Sequence, residues 1–342
     1  MRARMWIVGT ALGPLLLIVH GVEAVDLLLG RDGATGLVAG WGAIAWGVLG
    51  SRAGVRDRAR RVWRRLDDPL ARAGAVLCLG LVFVAVFAPL LSIHAPDVLG
   101  DPVADRYAPP SAEHWMGTDL LGRDLYSRVV HGARVSLGIA VASVVISVGL
   151  GLGVGAVAAW TGGFVDGLLM RLTDLALAFP RLFLVLLLVA FVEPGPAWIV
   201  LALGGTGWMG IARVVRGQVL QQREVEYVLA ARALGLGETA VVVRHVLPAI
   251  LPPVLALSTL RVGSAILAES FLSFIGLGVQ DPWVSWGMLI RSGRDTLLDA
   301  WWLALFPGTA IVLTVLGFNL LGDGLRDALD PRPAPGTGTL DD

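Results

Sequence analysis

The sequence predicts an all-α, polytopic transmembrane protein, a bundle of membrane-spanning helices. Apolar residues make up 56% of the 342 residues, charged residues only 16%, and the mean hydropathy is +0.74. Soluble domains carry about 25% charged residues. The apolar residues are gathered into runs of roughly 20, the length that crosses a bilayer about 30 Å thick. Composition therefore excludes a soluble enzyme, a disulfide-rich secreted domain and a disordered chain.

Eight apolar runs are the predicted spans. The first two, at 6–28 and 35–50, form an extra N-terminal hydrophobic hairpin (1–50), whose second arm is short for a full crossing. An arginine-rich segment follows at 51–67. A core domain at 68–330 then contains six spans, and a tail at 331–342, rich in Pro, Gly and Thr, is expected to be disordered. The six predicted core spans lie at 70–92, 135–159, 167–192, 197–217, 250–277 and 302–322.

Arginine placement predicts the orientation of the spans in the bilayer. The cluster between Arg52 and Arg65 has Asp57 as its one acidic residue, and the positive-inside rule places it in the cytoplasm. Both termini and residues 218–249 are then cytoplasmic, while 93–134 and 278–301 face outward. Because 27 basic residues balance 27 acidic ones, net charge gives no reason to expect a nucleic-acid partner.

Several catalytic motifs are missing from this sequence. All 27 basic residues are Arg, whereas a nucleotide-hydrolysing P-loop needs a Lys in G-x-x-x-x-G-K-[ST]. The glycines at 149, 151, 153 and 155 are therefore predicted to let helix backbones approach, not to cradle phosphate. The single Cys78 cannot build a thiolate metal cluster, and the five His are scattered along the chain. We expect no enzyme, and no metal or cofactor site in this chain.

One long connector, at 224–248, carries the functional prediction. Residues 224–234 are good helix formers with Glu224 and Glu226 in the first turn, where the helix dipole favours acidic groups. Gly235 and Gly237 should end this helix, and Pro248, with Pro252 and Pro253, should terminate or kink the next one. The prediction is a helix–turn–helix whose small alanines form a knob that seats in a groove of another protein. The alternative is an amphipathic hairpin at the membrane surface without a partner. The residues assigned to docking are Glu226, Ala230, Ala231, Arg232, Leu234, Gly235, Leu236, Gly237 and Pro248.

Four charges fall in or near spans, where an ionised side chain is costly and should face protein or water. Asp174 and Arg181 are seven residues apart and should share a helix face, and Arg261 and Glu269, eight apart, roughly do so too. One interpretation has each charge neutralised locally, Asp174 by Arg171. The other has Asp174, Glu269 and Arg261 lining a polar conduit for a substrate.

The spacing Ala230-Ala231-x-x-x-Gly235 followed by Leu247-Pro248 resembles the EAA loop of bacterial ABC importer permeases. Three further stretches resemble the C-type subunit of the dipeptide/oligopeptide/nickel branch of that family. They are Met116-Gly-Thr-Asp-Leu-Leu-Gly-Arg-Asp-Leu-Tyr-Ser-Arg128 with Gly132-Ala-Arg-Val-Ser-Leu137; Asp166, Met170-Arg171, Asp174 and Ala178-Phe-Pro180; and Glu269-Ser-Phe-Leu-Ser-Phe-Ile-Gly-Leu-Gly278 with Pro282-Trp-x-x-Trp-Gly287.

The resemblance implies a six-span type I ABC importer permease core in the bacterial inner membrane. A homologous B-type permease would complete the pathway, one or two cytoplasmic ATPases would bind ATP and magnesium, and an extracytoplasmic solute-binding protein would deliver the substrate. The expected substrates are dipeptides or short oligopeptides, with nickel chelates or glutathione as alternatives within the family. A different class, an ion-gradient-driven secondary transporter in which Asp174 or Glu269 carries a proton, stays open.

Two features depart from the family pattern. The glutamate of the EAA motif maps to Leu229, so its contact with the ATPase is either absent or supplied by Glu226. The apolar runs at 6–50 stand where the family has a short leader. An uncleaved anchor explains them better than a signal peptide, because no clear cleavage context follows and His20, Glu23 and Asp26 interrupt the first run.

Overall fold

A computed structural model describes residues 68–101 and 103–329 of the protein. The predicted hairpin at 1–50, the arginine-rich segment at 51–67 and the tail at 331–342 lie outside these residues. Within them the chain is helical and has no β-strand; Thr118 and Asp124 form an isolated antiparallel bridge. The predicted all-α class is confirmed.

Eleven α-helices follow one another in the described part of the chain. They are α1 Pro69–Val86, α2 Ala88–Leu91, α3 Leu125–Thr161, α4 Gly163–Leu177, α5 Arg181–Ala190, α6 Pro196–Arg223, α7 Glu226–Ala233, α8 Glu238–Val241, α9 Leu247–Ile275, α10 Trp286–Ser292 and α11 Trp302–Leu329. A π-helical turn, Val242–Val246, joins α8 to α9, and a 3₁₀ turn, Arg294–Thr296, follows α10.

Five segments are long and apolar enough to cross a membrane: α1, α3, α6, the run Glu238–Ile275 and α11. A sixth span results if α4 and α5 are taken together. The six-span core is thus confirmed by the helices of the described residues. One end of the bundle carries the connector at 224–248 and is called the loop end; the other, which carries residues 92–124 and 276–301, is called the far end.

The predicted span at 167–192 is not one straight helix. Helices α4 and α5 meet at an angle of 82°, and Pro180 lies at the break as the residue that precedes α5. Proline has no N–H to donate and disfavours helical backbone at the residue before it, here Phe179. The expectation that Asp174 and Arg181 share a helix face is therefore wrong.

Helix α3 begins ten residues before the predicted span at 135–159. The Asp124 side chain accepts a hydrogen bond from Ser127 N at 2.8 Å and so caps the helix. Hydropathy missed this start because the first turns carry Arg128, His131 and Arg134. The bundle buries this polar part of the helix, where Arg128 is only 2% exposed.

Small residues bring α3 and α6 together. A Cβ placed on Gly155 would lie 2.5 Å from the Ala212 carbonyl oxygen, and one on Gly151 would lie 2.6 Å from Ile211 Cγ2, so neither position accommodates a side chain. At Gly149 and Gly153 there is open space. The predicted packing role of the glycine series is confirmed for the two members that face α6.

The prolines near residue 250 do not end a helix. Pro248 lies in the first turn of α9, directly after the π-helical turn, and Pro252 and Pro253 lie inside α9. The π-helical turn shifts the hydrogen-bond register just where Pro248 cannot donate. Helical backbone therefore continues from Glu238 to Ile275; of the two predicted outcomes, termination is wrong, and a kink at the entry to the span stays a prediction.

Candidate functional site: the connector at residues 224–248 and the charged face of the spans

The connector folds as two short helices around a tight reversal. Helix α7 occupies Glu226–Ala233, two residues shorter at its start than predicted, and α8 begins at Glu238. Gly235 has φ +81°. Its N–H donates to Arg232 O at 2.9 Å, and Leu236 N–H donates to Ala231 O at 3.2 Å, which is the Schellman pattern of a glycine-terminated helix. Gly237, by contrast, is extended and precedes α8.

The face that α7 turns to the bundle is apolar. Val228 is fully buried and Ala231 is 6% exposed, and both belong to a core cluster with Trp160, Val219 and the first turns of α9. Val228 and Ala231 are three residues apart and so lie on one side of the helix. The prediction that Ala231 is part of an exposed knob is wrong, because Ala231 faces the bundle.

The outer face of α7 is exposed and apolar. Tyr227 is 44% exposed, Leu229 50% and Leu234 81%, and Ala230 and Ala233 are exposed beside them. Glu226 is exposed at the start of the helix and Pro248 at the start of α9, whereas Leu236 is partly buried. The protruding surface is thus formed by leucines and alanines together. We call it the outer face of α7.

Two arginines and a tryptophan hold the connector to the bundle. The Arg232 guanidinium lies 4.5 Å from the centre of the Trp160 ring, and that of Arg223 lies 5.5 Å from it. Arg232 also donates to Glu238 at 2.8 Å, and Arg223 donates to Ala159 O at 2.5 Å. The connector is therefore anchored to the end of α3.

Two ion pairs join α4 to α6. Arg216 donates to both carboxylate oxygens of Asp166 at 2.6 Å, and Arg213 makes two hydrogen bonds to Asp174. Asp174 thus pairs with Arg213 and not with Arg171. Its side chain is 59% exposed and its charge is matched within the chain, while its role in lining a conduit stays a prediction.

Glu269 is not on an accessible surface. Its side chain is fully buried, and its oxygens accept hydrogen bonds from Ser273 at 2.8 Å, Ser136 at 3.2 Å and Ser270 at 3.3 Å. Ser136 also accepts a hydrogen bond from Trp286 N at 3.1 Å. In this conformation Glu269 ties α9 to α3 and the far end and does not face an open conduit, and its role in lining the pathway stays a prediction.

Arg181, at the start of α5, and Arg261, on α9, both contact the backbone of α6. Arg181 Nη2 donates to Leu203 O at 3.0 Å and Arg261 Nη1 to Gly207 O at 3.3 Å. Arg261 therefore points to α6 while Glu269 points to α3, and the expectation that they roughly share a face is wrong. A cavity of about 400 Å³ opens beside Arg181; it is lined by Arg181, Leu182, Val185, Leu203, Ser264, Leu267, Ala268 and Phe271.

At the far end, polar residues that are separated in the sequence lie close together in space. His94 and His114, with ring centres 5.3 Å apart, lie beside Asp124, and His114 Nδ1 is 3.0 Å from Asp124 Oδ1. One ligand atom of each residue lies within 4.8 Å of the others. The histidines are thus not all scattered in space, although His114 and the helix-capping Asp124 already form a hydrogen-bonded pair.

These features define the class of protein as a polytopic helical membrane protein, with an exposed apolar helix face at one end and a cavity beside Arg181. A family model described as "Binding-protein-dependent transport system inner membrane component" matches residues 151–334, more than half of the chain. A second, "N-terminal TM domain of oligopeptide transport permease C", matches residues 58–110. The chain belongs to the binding-protein-dependent transport system inner membrane components, the permease subunits of ABC transporters.

Curated relatives cover most of the chain. The dipeptide transport system permease protein DppC of Bacillus subtilis is 44% identical over 79% of this chain and 84% of its own length. The oligopeptide permease OppC of the same organism is 41% identical over 78% and 87%. The glutathione transport system permease protein GsiD of Pectobacterium atrosepticum is 38% identical over 81% and 92%.

Family membership settles the class of function. The chain is a multi-pass inner-membrane subunit, is not an enzyme, and works with other components of an ABC transporter, whose separate ATPases hydrolyse ATP. The expected family resemblance is confirmed. Membership agrees with the importer interpretation and not with the ion-gradient alternative.

Proposed function

We propose that this chain forms half of a translocation pathway for dipeptides or short oligopeptides, and that the outer face of α7 couples it to cytoplasmic ATPases. The observation that carries the proposal is a surface of exposed leucine and alanine on a helix whose opposite side is firmly packed. A surface that faces water rarely keeps a contiguous apolar patch without a partner, and α7 lies outside the candidate membrane spans. The permease names of the relatives support peptides as the substrate class.

The partners in this proposal are a homologous B-type permease, one or two ATPases and an extracytoplasmic solute-binding protein. The loop end then faces the cytoplasm, as do both termini. The coupling residues are those of the connector that are exposed or shape its turn: Glu226, Ala230, Arg232, Leu234, Gly235, Leu236, Gly237 and Pro248. Ala231 supports the surface from below. Leu229 stands where the family has a glutamate, so contact with the ATPase would be apolar at that position, with Glu226 supplying a charge.

Substitution of one exposed leucine at each end of the bundle tests the coupling surface. Leu234 is 81% exposed in the connector, and Leu298 is 95% exposed at the far end. We expect Leu234→Glu to lower ATP-dependent peptide uptake by about tenfold or more, because a desolvated, unpaired charge at an interface costs several kcal/mol. Leu298→Glu is the matched control for adding one negative charge to an exposed leucine.

The measurement is uptake of a labelled dipeptide by cells that express each variant, with copurification of the ATPase subunits. Loss of both uptake and copurification in Leu234→Glu alone supports coupling through α7. Normal uptake by Leu234→Glu would contradict it. Uptake that continues without ATP and follows the proton gradient would favour a secondary transporter instead.

A further inference from the structure

Arg181 and Arg261 are two cations within the spans that lack an anionic partner. Among the described residues, the ion pairs of α4 and α6 use Arg213 and Arg216, and neither Arg181 nor Arg261 pairs with a carboxylate. Each instead donates to a backbone carbonyl of α6. Inside a membrane a cation without a partner is costly and marks a functional position.

The two guanidinium groups lie close to each other. Their acceptors, Leu203 O and Gly207 O, are one helical turn apart, a rise of about 6 Å along α6. Both guanidinium groups also approach Gly207: a Cβ there would lie 3.1 Å from Arg181 Nη2, and Gly207 O accepts from Arg261 Nη1. Two like charges held together repel each other, so this arrangement favours any anion that comes between or beside them.

Arg181 has a donor left over. Its Nε is buried and has no hydrogen-bond partner, while Nη2 is used by Leu203 O. A buried donor without an acceptor is unfavourable, and a guanidinium offers its donors as a fork that fits a carboxylate. Arg181 therefore has an unsatisfied donor, and its side chain also lines the cavity.

The cavity beside Arg181 has the size and lining of a small-molecule site. Its volume of about 400 Å³ lies in the usual range for such pockets. Arg181 and Ser264 are its polar lining residues, and the walls are otherwise apolar, with Leu182 45% exposed, Leu267 51% and Phe271 44%. Apolar walls with one fixed cation suit a ligand that has one constant anionic group and variable side chains.

We infer that this cavity receives the C-terminal carboxylate of the transported peptide, which Arg181 binds directly while Arg261 supplies the second positive charge. The inference rests on the proposed function and names the part of the substrate that the pathway recognises. Every unmodified peptide has that carboxylate, so the site holds peptides of different sequence by their shared group.

The test uses the complete transporter, with both permeases, the ATPases and the binding protein, reconstituted in proteoliposomes. It compares Arg181→Lys, Arg181→Gln, Arg181→Glu and Arg261→Gln, with Arg326→Gln as control, an exposed arginine on α11 that does not line the cavity. The readouts are imported radiolabelled dialanine per ATP hydrolysed, and assembly of the complex by size-exclusion chromatography.

We expect imported dialanine per ATP to fall about tenfold for Arg181→Gln, the equivalent of about 1.4 kcal/mol. Arg181→Lys should retain more import than Arg181→Gln, and Arg181→Glu less; Arg261→Gln should show a smaller loss, and Arg326→Gln none. Assembly and stimulated ATP hydrolysis should persist, because these substitutions change substrate binding and not the outer face of α7.

Three results would overturn the inference. One is equal import by the whole Arg181 series. Another is loss of assembly in Arg181→Gln that Arg181→Lys restores. That result would mean that Arg181 forms an ion pair with an acidic residue of the other permease. A third is equal loss in Arg326→Gln. Wild-type transporter that hydrolyses ATP without importing any dipeptide would instead contradict the proposed function, so the two failures are distinguishable.

Discussion

Trp286 at the far end and Trp160 at the loop end show how differently the two ends are built. Trp286 is 1% exposed, its indole donates to Val129 O at 2.9 Å, and its backbone N–H donates to Ser136. Trp160 is 9% exposed and contacts two arginine side chains. The far end is tied by buried hydrogen bonds between segments distant in the chain. At the loop end, two arginine side chains lie against a tryptophan ring beside the apolar cluster that holds α7.

The same contrast holds beyond the tryptophans. At the far end Trp302 donates to Thr118 O at 3.1 Å, and Asp119 accepts hydrogen bonds from Leu121 N, Arg123 N and Arg123 Nε. At the loop end the outer face of α7 is left open. The difference between the ends therefore lies in the buried hydrogen bonds between distant segments and not in exposed apolar surface, since Leu298 at the far end is as open as Leu234 in the connector.

The largest effect is expected when Trp286 is truncated. Trp286→Ala removes a buried aromatic side chain and leaves Val129 O without its partner, so the free energy of unfolding should fall by about 3–5 kcal/mol. Trp286→Phe keeps most of the volume and should lose much less. Denaturant unfolding of the detergent-solubilised protein, followed by circular dichroism, measures both. Equal stability of Trp286→Ala and wild type would mean that the far end is not a rigid unit.

A smaller effect is expected at the turn of the connector. Gly235→Ala places a Cβ on a residue with φ +81°, a conformation that costs L-residues about 1–2 kcal/mol. Gly237→Ala is the matched control, since Gly237 is extended and should accept alanine within about 0.5 kcal/mol. The same unfolding measurement separates them. Equal stabilities for the two variants would exclude a left-handed turn at Gly235.

The smallest effect on stability is expected from Arg232. Arg232→Ala removes one contact with Trp160 and a partly exposed ion pair with Glu238, together worth about 1 kcal/mol. Limited proteolysis within residues 224–248 should nevertheless become faster, because the connector loses an anchor. Glu238→Gln removes the ion pair alone and serves as control. Protection equal to wild type in Arg232→Ala would show that Val228 and Ala231 suffice to hold α7.

Local signals in the sequence predicted the helix of the connector, its end at Gly235 and the six-span core. They did not predict contacts between residues that are far apart in the sequence. The partner of Asp174 is Arg213, 39 residues away, and the serine that joins Glu269 to α3 is 133 residues away. Neither pairing can be derived from spacing along one helix.

One error in the site could have been avoided. Val228 and Ala231 stand three residues apart, the spacing of a buried helix stripe, and that signal places Ala231 inward. Its small side chain instead suggested a narrow exposed profile. The unpartnered Nε donor of Arg181 is different, because the sequence gives no sign that the α4–α5 bend would turn Arg181 to the α6 backbone, away from Asp174.

The uninterrupted backbone between Glu238 and Ile275 has a mechanical consequence. At about 1.5 Å per residue, these 38 residues make a shaft of about 57 Å with a single irregular turn near its base. Glu238, the first residue of this run, accepts a hydrogen bond from Arg232. Ser264 and Phe271, further along the same run, line the cavity. Helical backbone joins the two regions through the π-helical turn and past Pro252 and Pro253, the positions where a helix bends most readily, so we expect a displacement at Glu238 to reach the cavity wall in part as bending at these residues.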